Sequence, residues 1–176
     1  MTEDREILNS RRHYNDLEKE RILNVSPLVK YTVIELNAIL FYRAAAVHGY
    51  DAEDFIEKFM NSATARLFDM ALNFYRWEGV PAIMADFIIE CQDTGIILKK
   101  AENQDEIHLE VVGSKAEWIG YIYRLTHYMT GLSSAEIIDL MPVKEMMFQF
   151  HAGHTTDPER WVDKYLDTEC MSCLDN

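Results

Sequence analysis

The chain has 176 residues, 48% of them hydrophobic, and sets 17 Lys and Arg against 30 Asp and Glu for a net charge of −13. That length allows one domain or at most two small ones, and the composition excludes wholesale disorder. No apolar run nears the ~20 residues that span a bilayer, and the polar first 24 residues hold no signal-peptide core, so a cytoplasmic protein without a membrane partner is expected.

Residues 3–24 read as a charged helix with a thin apolar stripe of Ile7, Leu8, Tyr14 and Leu17. Residues 1–25 are thus an arm or peripheral helix, and residues 26–176 a single helical domain. Ser26 caps the next helix with Pro27 at its first position, and the broadly apolar pattern over 27–48 predicts a central helix ended by Gly49. Asp51 opens a third helix with acids in its first turn. Asn61 or Ser62 opens a fourth, continuing through Leu72, Phe74 and Tyr75 to Gly79. Pro81 starts a fifth that runs to about Cys91.

Residues 96–112 carry the one β signal. Ile107, Leu109 and Val111 alternate with His108, Glu110 and Val112, and GIILKK precedes them across AENQD. A short hairpin closed by Gly113 is expected. Helices resume at about Ser114. Trp118–Met129 forms one, ended by Gly131. Ser133 or Ser134 caps the next, with Glu136 in its first turn. Pro142 interrupts it, Val143–Phe150 forms a short helix, and HAGHTTD turns into a last helix capped by Asp157-Pro158. The fold class is mainly α: about 7–8 helices and one hairpin.

Two segments echo each other. Tyr42-Arg43, Gly49 and Ala52-Glu53 in one answer Tyr123-Arg124, Gly131 and Ala135-Glu136 in the other. The echo is either a duplication, with sub-repeats 28–92 and 115–167, or shared helix–glycine–cap–helix grammar.

The second segment carries Trp118, Gly120, Tyr121, Ile122, Tyr123 and Arg124, then Thr130, Gly131, Ser133 and Ser134. Met147 and Phe150 follow, then His154, Thr155, Asp157, Pro158 and Glu159. This pattern resembles a bacterial family reading W-x-G-Y-I-Y-R, T-G-x-S-S and H-T-x-D-P. That family is in turn similar to short helical antitoxins encoded beside ADP-ribosyltransferase-like toxins. The resemblance covers about residues 115–167, with a faint extension to 28–90. The charged arm, the expected hairpin and HAGHTTDP in place of a simpler H-T-x-D-P depart from it. It implies inhibition by binding and transfers no catalytic residue.

Few residues promise chemistry. His151 and His154 are spaced HxxH, and Cys170 and Cys173 are spaced CxxC, a donor set that suits tetrahedral zinc. The competing reading makes His154 part of a structural turn and leaves CMSC at an unordered end. No metal and no cofactor is the primary expectation, and a zinc-binding module or metal-dependent enzyme on those four residues is the alternative. Ser133 and Ser134 read as caps because no Gly-x-Ser-x-Gly elbow surrounds them. His127 reads as a packing residue. Arg43 and Arg124 read as arginines paired with acids, Glu53 and Glu136. The 96–112 hairpin, net acidic, lacks the basic stripe of a DNA-binding wing, so direct nucleic-acid binding is not expected.

The sequence therefore points to a non-enzymatic, acidic interaction protein. Its expected role is to neutralise a basic protein partner, either a toxin or a nucleic-acid-binding protein, with a phage-type inhibitor of a bacterial defence protein as a variant. Trp118, Tyr121, Arg124, Phe148 and Trp161 are the candidate partner-binding or structural residues, and no catalytic residue is assigned.

Overall fold

In the computed structural model, residues 13–70 and 79–172 are described. Nine α-helices occur among them: α1 Asp16–Leu23, α2 Pro27–Tyr42, α3 Ala52–Met60, α4 Ala63–Asp69, α5 Val80–Thr94, α6 Glu106–Thr130, α7 Ser134–Leu140, α8 Val143–Gly153 and α9 Pro158–Ser172. A π-helical turn, Arg43–Val47, extends α2. Polar caps start most of them. The side chains of Asn15, Asp51, Ser62, Asp105 and Ser133 accept from main-chain N–H groups of the following first turns, and Asp157 accepts from Arg160 N. Gly95 and Gly131 end α5 and α6 in the left-handed conformation that a side chain would strain.

The scaffold is the antiparallel pair α2 and α6. A Cβ added at Gly120 would come within 2.7 Å of the Asn37 carbonyl oxygen, and one at Gly113 within 2.6 Å of the Ala46 side chain. With Ala116 fully buried between them, the small residues of α6 fall at i, i+3 and i+7 and form one stripe. That stripe lets the two backbones meet closely, and Asn37 Nδ2 fastens the crossing by donating to Gly120 O at 2.7 Å. Around this pair Phe41 and Phe87 meet the stacked rings of Phe55 and Phe59 edge to face, with Phe55–Phe87 and Phe59–Phe87 centroids 5.3 and 5.2 Å apart. Glu90 of α5 accepts from the amides of Ala63 and Thr64, tying α4 to α5.

The mainly α class holds, and the hairpin does not form. Residues 95–105 are irregular, with a single isolated antiparallel bridge between Tyr50 and Lys100 among their contacts, and 106–112 is the first part of the 25-residue α6. The alternation there is coincidental. Ile107 and Val111 lie one helical turn apart on an exposed face, Ile107 at 76% exposure. Asp105 decides the matter locally, since its carboxylate accepts from both Ile107 N and His108 N. Gly113 closes no hairpin and instead marks the α2 contact.

The helix expected over 3–24 is not continuous through the described residues, and residues 3–12 lie outside them. Asn15 sits in extended backbone and forms a capping box with Glu18, so α1 begins at Asp16. Its buried residue is Ile22, and Leu17 is exposed; Ile7 and Leu8 lie outside the described residues. The helix expected from Ser62 to Tyr75 stops at Asp69, because Met70 turns to extended backbone; Leu72, Phe74 and Tyr75 lie outside the described residues. Among the described residues no helix is long and apolar enough to cross a membrane.

Candidate functional site

Three features gather polar or aromatic side chains: a buried ion-pair centre, an acidic seam along α2 and α6, and an aromatic corner between α6, α8 and α9.

The buried centre forms where α4 ends, α7 begins and α6 passes. Arg124 Nη1 donates to Asp69 Oδ1 at 2.5 Å, with both side chains 1% exposed. Asp69 Oδ1 also accepts from the Ser134 hydroxyl at 2.6 Å, and Oδ2 accepts from Ser134 N at 2.8 Å and Tyr14 OH at 3.1 Å. The guanidinium carbon lies 4.5 Å from the centroid of the Phe68 ring. Burial alone would raise the Asp69 carboxyl, but Arg124, His127 and Ser134 outweigh it and hold it below the ordinary carboxylate value. Tyr14 is raised by burial and then by Asp69.

His127, one turn along α6, is fully buried. Its Nδ1 lies 2.7 Å from Leu132 O, the geometry of an Nδ1–H donor, and its Nε2 has no partner of good geometry although the Asp69 main chain lies nearby. Burial lowers its pKa to about 4, so the imidazole is neutral near pH 7. A buried, neutral ring next to a saturated carboxylate is a packing group, as the sequence suggested.

Arg124 was expected to pair with Glu136, and the structure gives it Asp69 instead. Glu136 serves the Ser133 capping box and accepts from the His13 ring at 2.7 Å. Arg43 and Glu53, the other expected pair, are both exposed, and no ion pair joins them. Asp69 went unnoticed because its partners lie 55 and 65 residues away. The one local hint was an acid at the end of the otherwise weakly polar run ATARLFD.

The seam has an opposite character. Leu28, Tyr31, Glu35, Ile39 and Tyr42 fall on one stripe of α2, and Glu110, Ser114, Glu117 and Tyr121 on one stripe of α6. These stripes meet. Tyr42 OH donates to Glu110 Oε2 at 2.7 Å. Glu117 is raised by partial burial and then by the carboxylates of Glu35 and Glu110. Tyr121 is raised by partial burial and then by Glu35, Tyr31, Glu159 and Asp157. Among the described residues no Lys or Arg forms an ion pair with Glu35, Glu110 or Glu117.

The aromatic corner holds the remaining candidates. Trp118 meets Phe150 and Trp161 edge to face at 5.8 and 5.1 Å, and Gly153 closes against both tryptophans, leaving no room for a Cβ. Trp161 is buried and Trp118 half-buried, so both serve the core, whereas Phe148 stands 83% exposed. His154 stacks on Phe150 at 4.5 Å and its Nδ1 contacts Phe150 O at 2.7 Å. The His151 and His154 rings are 6.5 Å apart. Cys170 lies in the last turn of α9, and Cys173 lies outside the described residues. At 1.5 Å per residue, α9 carries the chain about 18 Å from Pro158 to Cys170. Among the described residues no three His, Cys, Asp or Glu side chains are grouped to hold a metal. An open concavity of ≈ 830 Å³ lies elsewhere, at Asp51, Glu53, Lys99, Lys100, Asn103 and His108. Its Lys99 ammonium lies 3.6 Å from Asp54, and Lys100 donates to His48 O, so both cations are already engaged.

Comparison with known protein families, with curated proteins and with solved structures finds no match to this chain.

Proposed function

We propose that this chain is a non-enzymatic, antitoxin-like inhibitor that neutralises a basic partner protein by binding it directly. The observation that carries the reading is the acidic seam. Glu35, Glu110 and Glu117 crowd one another without a balancing cation among the described residues. Like charges held together weaken the free protein, and a cationic partner surface relieves that cost on binding. The excess of 13 negative charges acts at longer range, steering a basic partner toward the chain and away from nucleic acid.

The buried centre supports the same reading. Asp69, Arg124 and Ser134 resemble catalytic residue types, yet they are sealed from solvent and bonded to one another. The proposed partner is a toxin or a nucleic-acid-binding protein whose basic surface the chain occupies. A phage-type inhibitor of a bacterial defence protein acts in the same way.

Affinity capture with the tagged full chain from its native host tests this reading. One stoichiometric basic protein, released as salt screens the charges, is the expected result. Absence of a stoichiometric partner, or capture unaffected by salt, contradicts it.

A further inference from the structure

We infer that the valley between α2 and α6 receives an amphipathic helix of the partner, with apolar residues along its centre and Lys or Arg along its flank. This inference rests on reading the chain as an acidic binding protein and adds the surface and the shape of its occupant.

Apolar groups come first. Leu28, Tyr31 and Ile39 are 77%, 59% and 39% exposed along one stripe of a helix whose other side is core. Water is a poor neighbour for such side chains, and their i, i+3, i+11 spacing fits a partner laid along α2 rather than across it. Charge comes second. Glu35 lies within that stripe, with Glu117 and Glu110 across the seam and Asp157 and Glu159 beyond Tyr121 at the start of α9. The nearest lysine on α2, Lys30, is directed elsewhere, its ammonium donating to Leu23 O and lying 5.8 Å from the Tyr128 ring centroid. An apolar stripe flanked by acids along its α6 side complements an apolar stripe flanked by cations.

Shape decides between a helix and an extended strand. The described residues present no sheet edge for strand addition, since their one bridge is isolated. The stripe from Leu28 to Tyr42 runs about 21 Å, the length of a helix of roughly 14 residues, and the furrow between two packed helices accepts a third by ridge-into-groove contact. Tyr31 and Tyr121 supply rings that take both an apolar contact and a hydrogen bond.

Two synthetic peptides of about 18 residues test the inference on the full chain. Both contain the same Lys, Leu and Ala residues. One is patterned as an amphipathic helix, and the other is scrambled to destroy the pattern. Amide chemical shifts of the nitrogen-15-labelled protein are followed during titration. The patterned peptide is expected to bind about tenfold tighter than the scrambled one, with shifts concentrated in residues 28–42 and 110–121. The E35Q/E117Q variant is expected to lose most of that difference while keeping its own spectrum. Equal binding of the two peptides, or shifts centred on another face, overturns the valley while leaving the acidic-binding reading standing. Binding of neither peptide also overturns the valley, and if affinity capture finds no partner either, the functional reading falls with it.

Discussion

Tyr42-Arg43 and Tyr123-Arg124 are the same dipeptide near the ends of two antiparallel helices, and they meet opposite fates. Tyr42 points outward and donates to Glu110, and Arg43 is exposed on the π turn. Tyr123 is fully buried and donates to Met141 O at 2.5 Å, while Arg124 is buried against Asp69. Each helix then ends in a glycine of positive φ, Gly49 at 62° and Gly131 at 73°, and each is followed by a capped helix. Local grammar is shared, and burial is not. The difference comes from what lies above each dipeptide. Tyr14 before α1, the last residue of α4 and the first of α7 converge on Arg124, whereas the Tyr42-Arg43 side faces the acidic seam and solvent. One dipeptide became part of the architecture, and the other borders the surface that we assign to partner binding.

Removing Asp69 should break the comparison most violently. Asp69→Ala leaves a buried guanidinium unpaired and should cost about 3–5 kcal/mol of stability in urea unfolding, whereas Arg43→Ala should change stability by less than about 0.5 kcal/mol. Similar losses in the two variants would show that the dipeptides are equivalent after all.

Acid should separate the regions next. The pKa of His127 is lowered from 6.5 to about 4 in the folded state, so the unfolded chain binds its proton more readily. Its contribution is present above pH 6.5 and is lost as pH falls from 6.5 toward 4, by up to about 3 kcal/mol. Asp69, held below its ordinary value, has the same sign and adds a further loss as pH falls below the normal carboxylate range. Urea midpoints measured from pH 7.5 to 4 should fall in the parent and fall less in His127→Gln. Identical pH profiles would contradict the assignment.

The caps should sharpen what the two regions share. Asp51→Ala and Ser133→Ala each remove one side-chain acceptor from a first-turn amide. Each should cost about 1 kcal/mol, with thermal midpoints moving by similar amounts. A much larger loss in only one would mean that its cap also carries tertiary structure.

The shared grammar is the part a sequence displays. Pro27, Asp51, Ser133 and Asp157 mark helix starts and Gly49 and Gly131 mark ends, because capping is decided within a few residues. The hairpin expectation failed at Ile107–Val112, where alternation of apolar residues imitated a strand while Asp105, a standard cap signal, stood directly ahead of it. Gly113, Ala116 and Gly120 displayed the small-residue stripe of a close helix crossing, a signal readable in advance but masked by treating Gly113 as a hairpin end. The Asp69 pairing was not readable, since a chain does not show which of its 30 acids reaches a given arginine. Among the candidate residues, Trp118 and Trp161 joined the core and Phe148 stayed outside, a division fixed by Gly153 and the α8–α9 turn rather than by residue type. Tyr121 was the one candidate that led to the seam.

The seam's independence from the fold is the central claim, and urea unfolding of E35Q/E117Q tests it most directly. If the carboxylates serve a partner, removing their repulsion should leave stability equal to or slightly above that of the parent. A loss of more than about 1 kcal/mol would show that Glu35 and Glu117 hold the fold together, and would contradict the account.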